Sequence, residues 1–266
     1  MTADATDTDP TDPTDPTDPA YWYDLFYGWC PDYDFYLDLV LASPSVLDIG
    51  CGSGMVLHRA RERGHTGRLV GLDPSPGMLA RARTRTDVEW VEGVLPDQAP
   101  SGRFDLVMMS GHAFQELTAD AQVRGMLTAS RAALAPGGRL VFETRNPAAR
   151  DWESWSRRHT RQATDAHGRR ARKVTAVEAL RDGAGREVTA ADPTAGAVEF
   201  VDMAVTFTGP WPEPLVSRAT LRFLDLPALD GFLAEAGLRA GRRYGFWDGS
   251  PFTAGSREII TVAEAA

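Results

Sequence analysis

The spacing of apolar residues changes several times along this chain, and each change predicts an element. From residue 45 onward, short apolar runs alternate with stretches of helical spacing. VLDIG (46–50), RLVGLD (68–73), VEWVEG (88–93), FDLVMMS (104–110) and RLVFET (139–144) read as strands. Between them, MVLHRARERG (55–64), SPGMLARART (75–84) and ADAQVRGMLTASRAALA (119–135) read as helices; Gly64 stops the first, and Pro136-Gly137-Gly138 the last. Five strands separated by helices imply an α/β fold with a parallel, doubly wound sheet.

Beyond this region the pattern changes. Residues 147–173 are polar, apart from Trp152 and Trp155. Residues 173–181, 197–207 and 215–224 alternate without helices between them, as Val201, Met203, Val205 and Phe207 show. They predict antiparallel strands of an insertion. LPALDGFLAEAG (226–237) reads as a helix stopped by Gly237, and SREIITVAE (256–264) as a last apolar strand. Upstream, residues 21–41 are dense in aromatics and read as one or two short helices. Residues 1–20 contain four tandem Thr-Asp-Pro repeats and are expected to be disordered, because they offer nothing apolar to bury. The resulting domain plan is an acidic tail (1–20), an aromatic helical lid (21–44), a main domain (45–147 with 226–266) and a β-rich cap (148–225).

Composition narrows the class. With 43% hydrophobic and 24% charged residues, the chain suits a globular protein. No apolar run approaches the ~18 residues of a membrane span, and the N-terminus lacks the features of a secretory signal. Two cysteines, Cys30 and Cys51, make neither a disulfide framework nor a zinc quartet, and no metal motif is present. These features predict a cytoplasmic protein without a metal. Six aspartates and no cation in residues 1–20 account for -6 of the net charge of -9, leaving -3 on the rest. A globule so close to neutral argues against nucleic acid as a partner. A small-molecule substrate is expected, and a homodimer is left open.

The most specific motif is Asp48-Ile-Gly50-Cys-Gly52-Ser-Gly54, placed after a strand and before a helix. Glycines there permit a sharp turn and close approach of a ligand to the backbone. The dinucleotide fingerprint needs glycines at its first, third and sixth positions. Here the third glycine falls at 54, one residue early, which disfavours a nicotinamide oxidoreductase. A second acid, Asp73, ends the next strand, where a carboxylate can accept bonds from both ribose hydroxyls.

In VLDIGCGSG (46–54), GLDPSPGMLARAR (71–83), FDLVMMS (104–110) and LAPGGRLVFETRNP (134–147), the chain resembles the class I S-adenosylmethionine-dependent methyltransferases. The layout is similar to their small-molecule branch, particularly glycine and aminosugar N-methyltransferases. The resemblance implies a Rossmann-like sheet of seven strands with the last antiparallel, and an antiparallel insertion after the fifth. It implies S-adenosyl-L-methionine as cofactor and S-adenosyl-L-homocysteine as product. The methionine part would lie at Asp48, Gly50, Cys51 and Gly52, and the ribose at Asp73. The adenine would lie near Pro74, Met78, Val94 and Leu95, with Met109 and Ser110 alongside. Many members have an acid after the glycine that ends the third strand. This chain has Gly93-Val94-Leu95, so backbone groups or Asp97 would hold the adenine. Tyr27 and Tyr33 match tyrosines that cover the cofactor or the substrate.

Such a site must hold a nucleophile in line with an electrophilic methyl group and exclude water. The aromatics from Tyr21 to Tyr33 suit a lid, or they simply pack a helix on the core. His112, after the fourth strand, is the candidate general base; its alternative is a loop hydrogen bond. Tyr23, Gln115, Arg145, Trp152, Trp211 and Trp247 are candidate substrate contacts. Arg145 would meet a carboxylate or phosphate, or else pair with Glu143. The tryptophans would wall an apolar pocket, or else pack the insertion. The cations between Arg157 and Lys173 would guide an anion or form a solvated loop. These readings converge on methyl transfer to a nitrogen or oxygen of a small molecule. The alternatives are methylation of RNA or protein, and a non-methylating protein of the same fold.

Overall fold

The computed structural model describes residues 12–158, 160–189 and 196–266. Two helices open the chain, α1 (Pro19–Tyr27) and α2 (Pro31–Leu41). Asp18 caps α1 by accepting from Ala20 N–H at 2.8 Å, and proline opens both helices. The alternating region follows as β1 (Ser45–Ile49), α3 (Met55–Glu62), β2 (Arg68–Asp73), α4 (Pro76–Ala82), β3 (Glu89–Glu92), β4 (Phe104–Met109), α5 (Asp120–Ala133) and β5 (Leu134–Arg145). Then come α6 (Trp152–Arg158), β6 (Thr160–Thr164), β7 (Arg170–Asp182), β8 (Val198–Thr208) and β9 (Leu215–Arg222). The chain ends with α7 (Leu226–Glu235), β10 (Leu238–Tyr244) and β11 (Glu258–Ala265).

Seven strands form one sheet in the order β10-β11-β5-β4-β1-β2-β3. β1 to β5 run parallel to one another, and β11 runs antiparallel to β5 and β10. The fold is therefore Rossmann-like, with the last strand reversed. Side chains alternate across each strand, which divides the core in two. Leu47, Val70, Val107 and Phe142 meet Val123 and Leu127 of α5 and Phe232 of α7 on one face. Val46, Leu69, Leu106 and Val141 meet Leu37, Val40 and Leu57 of α2 and α3 on the other. The insertion is a separate four-stranded antiparallel sheet, β6-β7-β8-β9.

Several elements differ from expectation. β6 lies in the polar stretch read as a loop. Of its residues only Ala163 is buried, and its ladder to β7 holds it as an edge strand. β10 carries arginines along an edge and shows no apolar alternation. α6 forms around Trp152 and Trp155. The expectation of disorder through residue 20 is corrected for residues 12–20. Each aspartate there accepts from an N–H two residues on: Asp12 from Thr14, Asp15 from Thr17 and Asp18 from Ala20. The repeat thus builds a chain of Asx turns. This strap is docked, because its carbonyls accept from side chains of the folded body: Pro13 from the half-buried Arg81, Pro16 from the buried Trp22 and Thr17 from the buried Trp211. The rest of the tail, residues 1–11, and His159 lie outside the described residues. No helix among the described residues is long and apolar enough to cross a membrane.

Candidate active site

A cavity of about 420 Å³ opens at the C-terminal ends of β1 to β4, where strand order reverses and folds of this kind bind ligands. The turn from β1 into α3 has positive φ at Gly50, Gly52 and Gly54. A Cβ on Gly54 would stand 2.3 Å from the Trp90 ring, so the loop lies close against β3. On Gly52 a Cβ would meet nothing within 4 Å, leaving that backbone open to a ligand. Gly52 N–H donates to one oxygen of Asp73 and Ser75 N–H to the other, each at 2.8 Å. Asp73 thus ties the loop to the start of α4, and each oxygen keeps a lone pair for a ligand hydroxyl. Burial lifts its carboxyl above the usual range, against the pull of those two N–H groups. Asp48 is buried, and its Oδ1 has no partner among the described residues. Burial first, then the neighbouring Asp73, holds its carboxyl well above the usual range. A donor on a ligand would satisfy that oxygen.

Gly50, Cys51, Pro74, Met78, Val94, Leu95, Met109, Ser110 and Tyr33 also line this cavity. Burial raises the Cys51 thiol, which keeps it neutral and unreactive. Asp97 is not in the lining.

A second cavity, of about 650 Å³, lies between the main domain and the inner face of the β-insertion. The two share Tyr23, Ser75, Met78, Gly111 and Glu116, so they meet. Apolar residues of β8 and β9, including Met203, Val205, Leu215 and Leu221, form one wall. His112, Glu116, Arg145 and Lys173 supply its charged and titratable groups, and Asp18 of the strap lies at its margin.

His112 sits on a tight turn after β4 at φ 62°, a region costly for a residue with a Cβ. Its backbone N–H donates to Glu143 Oε1 at 2.7 Å, which pins the turn from beneath. The Tyr36 hydroxyl bonds the other Glu143 oxygen in full burial. Burial pushes the Glu143 carboxyl up to about 8. His112 Nε2 lies 2.9 Å from Glu258 Oε2. A carboxylate has no proton to donate, so Nε2 carries the N–H of the neutral ring and Nδ1 keeps the lone pair. Burial, then the Arg145 cation, lowers the His112 pKa against the pull of Glu258. The ring is therefore neutral and able to accept a proton at neutral pH.

Arg145 lines the second cavity without pairing with Glu143. It donates through Nη1 to Gln115 Oε1 at 2.8 Å and lies over the Trp155 ring at 5.0 Å. Lys173 bonds the Tyr27 hydroxyl and sits over that ring. Neither cation has an ion-pair partner among the described residues.

Other candidates fall elsewhere. Tyr27, read as a cofactor contact, lines the second cavity and not the first. Gln115 is fully buried and lines neither, because Arg222 O and Arg145 take its amide. Trp211 is buried against Trp22 and donates to Thr17 O. Trp152 packs on Phe223 beneath the insertion. Trp247 stands edge-on to His112 at 6.0 Å, outside both linings. Of the cations read as a guide for an anion or a solvated loop, two are engaged by neighbours: Arg161 donates to Phe26 O, and Arg169 pairs with Asp165 at 2.5 Å. Lys173, read among the cations that could guide an anion, does line the second cavity, whereas Glu116 belongs to no motif. The only signal for Glu116 was its place four residues after His112.

Residues 46–138 match the family described as "Methyltransferase domain". The chain is 31% identical over 223 residues to a cypemycin N-terminal methyltransferase from a Streptomyces species, covering 83% of this chain and 82% of that one. Its fold resembles DesVI of Streptomyces venezuelae (TM-score 0.68, 21% identity, 94% of this chain and 99% of that one). It also resembles CalS10, an amino pentose methyltransferase from Micromonospora echinaspora, solved with S-adenosylmethionine bound (TM-score 0.59, 20% identity, 88% and 92%).

Proposed function

The chain belongs to the S-adenosylmethionine-dependent methyltransferases, and on that premise we propose that it methylates a nitrogen or oxygen of a small molecule in natural-product biosynthesis. When bound, S-adenosylmethionine supplies an electrophilic methyl group on a sulfonium sulfur. The first cavity fits that nucleoside. Open backbone at Gly52 and the orphaned Asp48 oxygen suit its amino-acid end, Asp73 its ribose, and Pro74, Met78, Val94 and Leu95 its base.

The residues of this chain bind and position the acceptor. The lining shared by the two cavities marks where the acceptor's reacting atom would sit. Tyr23 stands there with a phenol that burial keeps protonated, and its ring excludes water. His112 Nδ1 accepts the proton of the acceptor, Glu258 holds the tautomer, and Glu143 holds the turn. Arg145 and Lys173 suit an anionic group on the acceptor. The relative named an N-terminal methyltransferase supports nitrogen as the methylated atom.

One observation carries this reading: the cofactor cavity opens, through shared residues, onto a second cavity that holds a neutral histidine. Calorimetric titration with S-adenosylmethionine, followed by assay of S-adenosylhomocysteine release with candidate amines and alcohols, tests it. A protein that binds no S-adenosylmethionine would overturn it.

A further inference from the structure

Glu116 ends the short 3-10 turn Ala113–Glu116 that begins just after His112. It is accessible and lines both cavities at their junction. Among the described residues, no side chain or backbone group hydrogen-bonds its carboxylate, and no cation pairs with it. The cations that line the second cavity, Arg145 and Lys173, bond Gln115 and Tyr27 and not Glu116. Few groups compensate the negative charge of this junction. Asp73 lies close enough to raise the Glu116 carboxyl, after burial, and the other shared lining residues, Tyr23, Ser75, Met78 and Gly111, carry no cation.

A carboxylate left uncompensated in a partly desolvated place is costly until a cation arrives. With the nucleoside in the first cavity and the acceptor in the second, the atom to be methylated must lie at this junction. We propose that Glu116 is the specificity-determining residue that receives the cationic amine of the acceptor and selects amines over alcohols of the same shape. This rests on the methyltransferase reading and narrows it to acceptors that carry a protonated amine. A hydroxyl brings a dipole but no charge, and it forfeits the stronger, charge-assisted bond. Sites built for a charged donor reject the analogue that lacks it. The apolar wall of Met203, Val205, Leu215 and Leu221 takes the rest of the molecule.

The test uses 2-phenylethylamine and 2-phenylethanol, which share one skeleton. Each is titrated calorimetrically into the full-length protein saturated with S-adenosylhomocysteine, and then into Glu116→Gln. The amine is expected to bind the native protein at least ~10-fold more tightly than the alcohol, and the preference to shrink to about 2-fold in the variant. Affinity for S-adenosylmethionine should change by less than about 3-fold, because Glu116 is assigned to the acceptor. Glu116→Asp should keep part of the preference. Equal binding of the two probes would overturn the proposal, as would undetectable binding of the amine. So would a preference retained in Glu116→Gln, or a parallel loss of cofactor affinity, which would move Glu116 to the nucleoside. Failure of S-adenosylmethionine to bind the native protein is read in a separate titration and would sink the parent reading instead.

Discussion

The two cavities meet at five residues yet are built in different ways. The first is made of chain ends and turns. Its glycines, Asp48, Asp73 and Pro74 come from two short segments next to adjacent parallel strands, and backbone N–H groups fix its acid. The second is made of side chains from distant places: the strap, α1, the turn after β4, the end of β5, and the insertion strands. A site made of local turns leaves a motif in the sequence. A site made of converging side chains leaves only scattered residues, whose roles depend on what stands opposite.

The sharpest way to separate the two is to disable one chemically. His112→Asn should cut turnover by roughly 10²- to 10⁴-fold while leaving S-adenosylmethionine affinity nearly unchanged. Asparagine tolerates the left-handed backbone, so the turn should survive. The native kcat/KM should rise with pH through a midpoint below the ordinary histidine value of 6.5, and that limb should vanish in the variant. If turnover persists, the second cavity has no base at His112.

Asp73→Ala probes the other side. It should weaken cofactor binding by about 2–4 kcal/mol, the scale of lost charge-assisted bonds plus a loosened loop. Unchanged calorimetric affinity would remove Asp73 from the first cavity's function and erase the contrast.

Deleting residues 1–17 strips carbonyl partners from Arg81, Trp22 and Trp211. Leaving buried donors unpaired costs about 1–3 kcal/mol, so the melting temperature should fall by about 4–10 °C. Activity should suffer more than cofactor affinity, because Asp18 and Pro19, which follow the deleted residues directly, line the second cavity and not the first. An unaltered melting curve would show that the repeat is dispensable.

The smallest effect concerns the shared support beneath both cavities. Glu143 holds a proton in the native state up to about pH 8, whereas its ordinary value is 4.5. The unfolded chain therefore binds fewer protons in that window, and native stability declines as pH rises from about 4.5 to 8, then levels off. Glu143→Gln keeps the shape and should flatten part of that decline. Melting temperatures of the two proteins measured across this range decide it; parallel curves would mean that Glu143 does not titrate in the window.

Much of the main domain was legible in the sequence. Apolar runs of strand length separated by helical spacing mark β1, β2, β4 and β5, because a strand covered on both faces is apolar throughout, and alternation marks the edge strand β3. The glycine loop and Asp73 were legible for the same local reason: a turn with positive φ and an acid at a strand end need particular residues at particular spacings. The strap was misread because its side chains bury nothing. Its order comes from its own Asx turns and from carbonyls that accept bonds from Trp22, Trp211 and Arg81, and those partners are distant in sequence. Gln115 looked like a substrate contact, yet burial turns its amide to Arg145 and Arg222. Glu116 belongs to no motif, and its place became visible only where the two cavities meet. The sequence by itself determined the five parallel strands, the glycine turn after the first of them and the family, because these follow from local patterns of apolarity and backbone conformation. Tertiary structure alone decided which side chains line the second cavity, because burial, pairing and proton affinity depend on neighbours that the order of residues does not reveal.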